Sequence, residues 1–179
     1  MIETRRLSLI PCSLEHIETF LRDPAALAAL LDVTIPADFP VFPDGFAYWA
    51  ERLRANPTPP GWNEWLFVDR ASRIVIGDGG FKGPPTDAGA VELGYALLAA
   101  YRGQGLATEA AAGLIAWAFG HPEVSAVLAE TLAEGHGSIR VLTKLGMQAV
   151  GASQDPEEGP IIQWRLSRAA YFAVRNPQA

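Results

Sequence analysis

The pattern with the clearest chemical meaning is a glycine-rich turn between a predicted strand and a predicted helix, Arg102-Gly103-Gln104-Gly105-Leu106-Ala107-Thr108. Two glycines allow positive φ angles and a close approach of the backbone to a ligand. The residues after the second glycine begin a helix, whose first N–H groups have no partner within the helix. Because these groups lie at the positive end of the helix dipole, the turn favours a phosphate or pyrophosphate, with Arg102 at its rim. A tight strand-to-helix turn without a ligand is equally compatible with these residues alone.

Known glycine-rich signatures narrow the kind of ligand. The sequence contains no Gly-x-x-x-x-Gly-Lys-Ser/Thr run, which excludes a Walker P-loop. The dinucleotide fingerprint Gly-x-Gly-x-x-Gly/Ala is matched at Gly103 and Gly105 but meets Thr108 where a small residue allows close helix–strand packing. Glu130, at the end of the next predicted strand, imitates the acid that binds a ribose in such folds. A dinucleotide fold needs more parallel βαβ units than this sequence offers, so a dinucleotide oxidoreductase is the least favoured alternative.

Apolar periodicity surrounds the turn with an α+β arrangement. Apolar residues alternate along a strand at 90–98, before the turn, and recur at helical spacing from 106 to 117, after it. Further strands are predicted at 6–10, 64–69, 74–82, 125–130, from 146 onwards and at 161–166, and further helices at 13–21, 24–31, 44–55 and 138–145. The prediction is a single domain over residues 1–179, with a mostly antiparallel sheet of six to seven strands, flanking helices and one central βαβ crossover.

Composition excludes several classes of protein. The chain has 179 residues, a formal net charge of −6 and no cluster of Lys and Arg, which argues against a nucleic-acid partner. Its longest apolar runs fall short of the roughly 20 residues that a membrane span needs. The first residues lack the apolar core of a secretory signal, and Cys12 is the only cysteine, so no internal disulfide forms. A cytoplasmic location and no membrane association are therefore expected.

Two blocks of the sequence resemble the GNAT N-acetyltransferases. Residues 102–107 fit the Arg/Gln-x-x-Gly-x-Gly/Ala motif of that family, with Glu92-Leu93-Gly94-Tyr95-Ala96-Leu97 before it and Thr108-Glu109-Ala110 after it. Residues 137–147 resemble the second conserved block of the family. The opening Glu3-Thr4-Arg5-Arg6-Leu7 is similar to the start of the branch that includes the ribosomal-protein-alanine N-acetyltransferases.

The resemblance implies a GNAT fold and acetyl-CoA as co-substrate, with no metal. In the family, amides of the loop hold the coenzyme A diphosphate, and the strand before the loop splays from its neighbour beside the pantetheine arm. Carried over to this sequence, the coenzyme contacts are Leu97, Leu98, Arg102, Gly103, Gln104, Gly105, Leu106, Ala107, Thr108 and Ser138.

Direct acetyl transfer needs a neutral amine and requires no nucleophilic side chain. Glu92 is the candidate general base, because it lies on the strand leading to the thioester and the family often carries an acid in this region. A solvated or ion-paired glutamate on a strand is the alternative for Glu92. His136 is a candidate substrate contact beside the second block, whereas His16 and His121 fit ordinary helix-surface or helix-end positions.

The acceptor site is expected in segments outside the two blocks that resemble the family. Phe39, Phe42 and Gly80 are its candidate residues, with core packing as the alternative for the aromatic side chains. Gly79 and Gly80, inside a predicted strand, indicate a bulge or a close backbone approach. The acceptor is predicted to be a protein N-terminal α-amine or, as a close second, a small-molecule amine or amino acid.

Two positions depart from the family pattern. Gly135 stands where relatives commonly have Asn, and the segment after Ser138 lacks the Tyr that some members use as a general acid, so no acid is assigned. These departures keep a non-catalytic acyl-CoA-binding regulator open as a different class of function. Exposed strand edges would also permit a homodimer.

Overall fold

The computed structural model describes residues 1–157 and 159–175 and is built around one open sheet. In chain order, its strands are β1 (Ile2–Glu3), β2 (Leu7–Pro11), β3 (Glu64–Asp69), β4 (Val75–Phe81), β5 (Ala90–Leu97), β6 (Ala126–Leu132), β7 (Gln148–Asp155) and β8 (Gly159–Ser167). Its helices are α1 (Leu14–Arg22), α2 (Pro24–Leu31), α3 (Gly45–Ala55), α4 (Leu106–Phe119), α5 (His136–Lys144) and α6 (Arg168–Arg175).

The eight strands lie in the order β1-β2-β3-β4-β5-β6-β8-β7. Every described pair is antiparallel except β5 with β6, which α4 connects as a crossover. The predicted α+β class, the mostly antiparallel sheet and the central βαβ unit are thus confirmed. The short strand β1 and the helix α6 are additions that periodicity did not indicate.

Alternation along β3 divides the core between the two faces of the sheet. Trp65 and Phe67 pack in the cluster that contains α4, whereas Leu66 and Val68 pack in the cluster that contains α1, α2 and α3. Successive strand residues point to opposite faces, so this pattern places α4 on one side of the sheet and the three N-terminal helices on the other.

Helices α1 and α2 begin where the predicted caps stand. The Ser13 side chain accepts a hydrogen bond from His16 N, and the His16 ring reaches back to the Ser13 backbone N–H. Asp23 caps α2 in the same manner through Ala25 N, with Pro24 at the first helical position. These caps set the starts of two helices in the layer that packs against Leu66 and Val68 of β3.

The central parallel pair separates along its length. β5 and β6 are paired only from Ala90↔Ala126 to Leu93↔Ala129. Beyond this point β5 stays paired with β4 as far as Leu97, and β6 stays paired with β8 as far as Leu132. The sheet therefore opens into a gap between residues 94–97 and 130–132, at the carboxyl ends of the two parallel strands.

Candidate active site

A cavity of about 750 Å³, the large cavity, lies at the gap between β5 and β6. Its walls come from the end of β5, the glycine-rich turn with the start of α4, and the start of α5. Of the predicted coenzyme contacts, eight line it: Leu97, Arg102, Gly103, Gly105, Leu106, Ala107, Thr108 and Ser138.

Two helix N-termini face the large cavity without a side-chain cap. α4 follows Gly105 and α5 follows Gly135, and neither capping residue makes a side-chain hydrogen bond. The first backbone bonds into α4 and α5 are donated by Glu109 N and Ile139 N, to Gly105 and Gly135 respectively. The N–H groups of the first turn of α4 are therefore available to an anion, and the dipoles of both helices favour one there.

The glycines of the turn adopt a backbone conformation that suits few other residues. Gly103 and Gly105 have φ angles of +74° and +77°. A Cβ added at Gly103 would meet no atom within 4 Å, and one at Gly105 would come no closer than 3.7 Å to Arg6. The glycines are required by backbone angle, and the space beside them is open.

Basic side chains add to the positive potential of the large cavity. Arg102, Arg140 and Lys144 line it, against the single described acid Glu134. Arg102 Nε also donates to the carbonyl of Leu97 at 2.8 Å, which ties the turn to the end of β5. In a chain with a net charge of −6, this local excess of positive charge marks the cavity as an anion site.

A partly buried ion pair between Arg6 and Glu109 braces the turn from the N-terminal segment. Glu109, in the first turn of α4, accepts hydrogen bonds from Thr4 Oγ1, Arg6 N and Arg6 Nε at 2.6–2.7 Å. Arg6 also donates from Nη1 to the carbonyl of Gln104 at 3.0 Å. Burial raises the pKa of Glu109, but these hydrogen bonds outweigh burial and hold it below its usual value.

Gln104 itself lies outside the cavity walls, and its side chain donates to Ala100 O.

A second cavity of about 370 Å³, the small cavity, lies between α3 and strands β3 to β5. Two carboxyl groups line it, Glu64 from β3 and Asp78 from β4, both only 8% exposed. The walls are otherwise largely aromatic and glycine residues: Phe42, Gly45, Phe46, Tyr48, Trp49, Gly79, Gly80, Phe81, Gly94, Tyr95 and Ala96, with Lys82 as a basic member.

Burial makes both carboxyl groups weak acids. It raises the pKa of Glu64 to about 8, helped by the negative charge of Asp78, while Trp49 and backbone groups of Gly79 and Trp65 act in the opposite direction. Burial likewise raises the pKa of Asp78 to about 7. Because the two groups interact, they release protons as a pair in two steps, and near neutral pH the pair retains part of its proton load. Such a pair can accept a proton from a bound group at physiological pH.

The two cavities meet at Phe42, Tyr95 and Ala96, which line both. Ala96 is paired with Asp78 across β4 and β5, so the buried acid lies directly beside the junction. Tyr95 has a buried hydroxyl without a hydrogen-bond partner among residues 1–157 and 159–175. Burial raises the pKa of this hydroxyl to about 12. Ser138 lies beside the hydroxyl and acts in the opposite direction, but without the geometry of a hydrogen bond.

Glycines in β4 allow the close strand approach that was predicted. A Cβ at Gly79 would lie 2.5 Å from the carbonyl oxygen of Gly94, and one at Gly80 would lie 1.9 Å from that of Asn63. The irregular register between β3 and β4 falls at Phe67/Val68 instead, so the glycines mark close approach and not the bulge. Gly80, a predicted acceptor residue, lines the small cavity.

Glu92 lies apart from both cavities. Its carboxylate contacts Nζ of Lys82, the residue that follows the end of β4, and it contributes to neither set of cavity walls. This is the ion-paired strand glutamate foreseen as the alternative, and the geometry gives no support to Glu92 as the general base. The acid that lies beside the junction of the two cavities is instead Asp78, which is paired with Ala96.

Two other predicted contacts also lie elsewhere. Phe39 is buried and packs edge-on against Phe20 and Phe46, so it belongs to the core between α1 and α3. Leu98 is buried on the same side of the sheet, with its N–H bonded to Ile76 O, and lines neither cavity. Phe42 and His136, in contrast, are cavity residues: Phe42 at the junction and His136 at the start of α5.

The position that departs from the family pattern has a steric reason. A Cβ at Gly135 would lie 2.9 Å from the carbonyl oxygen of Leu132, closer than a side chain tolerates without a shift. His136, the next residue, lines the large cavity and can supply a polar group there.

Sequence reasoning missed the buried acids, Tyr95 and the basic pair on α5. Asp78 stands between Gly77 and Gly79 inside a strand, where Asp is disfavoured, and this was a usable signal. Arg140 and Lys144 are separated by one helical turn, which places them on one face of α5.

Comparison with known proteins identifies this arrangement as that of an acyltransferase. The Acetyltransferase (GNAT) domain family matches residues 6–148, and the chain belongs to this family. An uncharacterized N-acetyltransferase, YjdG, of Bacillus subtilis (strain 168) is 28% identical over 148 residues, covering 82% of this chain and 88% of the relative.

Solved structures of the same fold include enzymes with different acceptors. The ribosomal-protein-S5-alanine acetyltransferase of Vibrio fischeri has a TM-score of 0.65 at 17% identity, covering 94% of this chain and 97% of that one. RimL, a ribosomal L7/L12 α-N-protein acetyltransferase in complex with coenzyme A, has a TM-score of 0.66 at 14% identity, covering 93% and 97%. A spermidine/spermine N-acetyltransferase of Vibrio cholerae has a TM-score of 0.69 at 11% identity, covering 96% and 99%.

Two other kinds of feature, a membrane-spanning helix and a metal-binding cluster, are absent from the described residues. None of the helices in the described ranges has the length and apolar character needed to cross a membrane. Residues 1–157 and 159–175 contain no group of three or more His, Cys, Asp and Glu side chains arranged to hold a metal ion.

Proposed function

We propose that this protein transfers an acetyl group from acetyl-CoA directly to a primary amine, with Asp78 as the general base. One observation carries the proposal: an anion-binding cavity and a cavity with a buried carboxyl pair meet at Phe42, Tyr95 and Ala96. The family indicates the class of reaction. The geometry supports the large cavity as the donor site and the small cavity as the acceptor site.

The large cavity fits coenzyme A in charge and in shape. The uncapped start of α4 and the side chains of Arg102, Arg140 and Lys144 suit the phosphate groups. The gap between β5 and β6 has unpaired inner strand edges along which an extended, amide-bearing arm can lie. When bound, the coenzyme supplies the activated acetyl thioester. These residues support acetyl-CoA as the donor.

Asp78 is favoured over Glu64 as the base because it is paired with Ala96, at the junction of the cavities. Asp78 takes one proton from the bound ammonium group, which frees the nitrogen lone pair to attack the thioester carbonyl carbon. The C–N bond forms, the C–S bond breaks, and the electron pair of that bond leaves with sulfur. The second proton leaves the nitrogen after addition and ends on the thiolate. Glu64 retains a proton and keeps the local charge of the pair low.

The acceptor is a monoamine in this proposal. The described walls of the small cavity carry two adjacent acids and one base, Lys82, whereas a polyamine would call for further separated acids. A protein N-terminal α-amine is the leading acceptor, and a small-molecule amine or amino acid is the second. An α-amine with pKa ~8 costs about 1.4 kcal/mol to deprotonate at pH 7, against about 4.6 kcal/mol for a lysine at ~10.4. Asp78, with its pKa raised to about 7, is matched to the α-amine.

Calorimetric titration with acetyl-CoA tests the donor site. The matched pair of variants is Gly105→Glu and Gly146→Glu, because both glycines have similar positive φ angles, +77° and +81°, and no close neighbour. Both variants carry the same backbone strain and added charge, but only Gly105 lines the large cavity. We expect micromolar binding in the wild type and in Gly146→Glu, and its loss in Gly105→Glu.

An amine screen then tests the acceptor. Peptides beginning with Ala or Ser, free amino acids and spermidine are offered with acetyl-CoA, and thiol release is followed. Turnover of peptides with a free α-amine, and not of the same peptides with a blocked N-terminus, is the expected result. Binding of acetyl-CoA without turnover of any amine would instead indicate an acyl-CoA-binding module, and no binding at all would overturn the donor assignment.

A further inference from the structure

Tyr95 has a buried polar atom that the fold itself does not satisfy. Among the buried side-chain nitrogen and oxygen atoms of the described residues, two lack a hydrogen-bond partner, Tyr95 Oη and Glu64 Oε1. Both residues line the cavities of the candidate site. A buried hydroxyl without a partner lowers stability, and native proteins seldom retain one without a reason such as a ligand.

The position of Tyr95 indicates what this ligand atom is. Tyr95 follows Leu93, the last β5 residue paired with β6, so it stands where the two strands part. It lines both cavities, and its hydroxyl lies beside Ser138 in the first turn of α5, a residue of the large cavity. In the transfer proposed above, the thioester must reach the small cavity through this junction.

We propose that Tyr95 Oη donates a hydrogen bond to the coenzyme sulfur as the C–S bond breaks. This inference rests on the proposed acetyl transfer and adds a catalytic residue to it. The negative charge that develops on sulfur is stabilised by a neutral donor already held in place, at no cost of reorganisation. Tyr95 thereby supplies the help for the leaving group that the segment after Ser138 lacks.

The hydroxyl acts as a donor and keeps its proton. Burial raises the pKa of Tyr95 to about 12, whereas a free thiol has a pKa of ~8.5. Transfer of the phenolic proton to the thiolate is therefore unfavourable, and the thiolate receives its proton from the amine nitrogen, as in the balance given above. Since Tyr95 stays protonated throughout the usual assay range, its contribution does not depend on pH.

The test compares Tyr95→Phe with Tyr171→Phe, the same substitution at a buried tyrosine of α6 that lines neither cavity. Three quantities are measured: kcat with acetyl-CoA, the pKa of the thiol of bound coenzyme A by thiolate absorbance, and Tm without ligand. For Tyr95→Phe we expect kcat to fall about 10- to 100-fold and the pKa of the bound thiol to rise by about 1. We expect Tm to stay constant or rise, because the removed hydroxyl is unpartnered in the fold.

The outcomes separate this inference from the proposed function. If the wild type transfers acetyl groups but Tyr95→Phe keeps the wild-type kcat or the wild-type pKa of the bound thiol, the inference is wrong and the function stands. A fall in kcat that comes with a fall in Tm would likewise overturn it, since it would show a structural role. If the wild type has no acetyltransferase activity, the proposed function itself fails, while the absorbance titration still reports whether Tyr95 contacts the sulfur.

Discussion

Glu64 and Asp78 place their carboxyl groups on the same face of adjacent antiparallel strands, in one cavity. Glu64 is paired with Gly80 and Asp78 with Leu66, which makes the two acids diagonal neighbours across β3 and β4. Both are buried, and no basic side chain is ion-paired with either in the described part of the chain. Two buried acids without a cation are costly to a fold, and this relationship leads to the first two predictions.

Removing the ionisable group at Asp78 should lower turnover most strongly at neutral pH. In the wild type, kcat/KM is expected to rise as the pH increases through about 7 to 8, where the pair ionises. For Asp78→Asn we expect a loss of about 10²- to 10⁴-fold in kcat/KM at pH 7 and a smaller loss at pH 9, because an α-amine of pKa ~8 is mostly neutral there without a base. Pre-steady-state and steady-state rates from pH 6 to 9 provide the measurement. Asp87→Asn, at an exposed acid outside both cavities, is the control, and a wild-type kcat/KM at pH 7 in Asp78→Asn would exclude Asp78 as the base.

Glu64→Gln should change how stability depends on pH. The pKa of Glu64 is raised on folding, so between the unfolded value of ~4.3 and about 8 the folded state binds more protons than the unfolded state. Stability therefore falls as the pH rises through this range, and the loss is complete above about 8. Gln carries no charge, so the variant should lose this slope and exceed the wild type by a difference that grows with pH. Urea unfolding at pH 5, 7 and 9 would measure it; parallel curves for the two proteins would contradict the raised pKa.

Glu92→Gln should leave catalysis close to that of the wild type. The residue pairs with Lys82 on a solvated surface, and such pairs contribute about 0–1 kcal/mol to stability. We expect kcat/KM within about twofold of the wild type at every pH, with a small change in Tm. A loss comparable to that of Asp78→Asn would return the role of general base to Glu92.

Glu109→Gln should weaken both the fold and the coenzyme site. Glu109 joins α4 to the N-terminal segment through hydrogen bonds from Thr4 and Arg6, and Arg6 also holds the carbonyl of Gln104 in the turn. We expect a loss of about 1–3 kcal/mol in the free energy of unfolding, since charge-assisted bonds to a partly buried group are removed. Acetyl-CoA should bind about tenfold more weakly to this variant. Calorimetry measures the affinity, with Glu51→Gln on the exposed face of α3 as the control.

The same residue gives the opposite pH signature to Glu64. Its pKa lies below the usual value in the folded state, so the stability it provides is present above the unfolded value of ~4.3 and is lost as the pH falls through the folded value. The difference between wild type and Glu109→Gln should therefore shrink on acidification. A difference that is constant from pH 7 to 3 would show that Glu109 acts through shape alone.

Elements with strong periodicity were predictable from the sequence, and those that depend on pairing were not. The strand at 64–69 and the helix α4 follow from apolar spacing, and the capping residues Ser13 and Asp23 mark the starts of α1 and α2. β1 has two residues and exists only because β2 offers it a partner. No local pattern distinguishes such a segment from a loop.

The turn proposed to bind the coenzyme could be predicted because its motif consists of consecutive residues. The acid pair was not, because Glu64 and Asp78 meet only through the register of β3 and β4, which the sequence does not specify. Glu92 was preferred for its position along the chain, and Phe39 for its neighbourhood in an aromatic segment. Phe39 is drawn into the core by Phe20 and Phe46, a contact between distant segments that composition cannot reveal.

The parting of β5 and β6 leaves two inner strand edges with free backbone groups, inside a sheet that is otherwise continuous. On the rim of a sheet, such edges invite a second chain and promote aggregation. Here they face each other across a gap walled by the starts of α4 and α5, and these helices restrict the length over which another polypeptide strand could pair with them. The protein can therefore present an open seam to small molecules while offering its own copies less free edge than a strand on the rim of a sheet would.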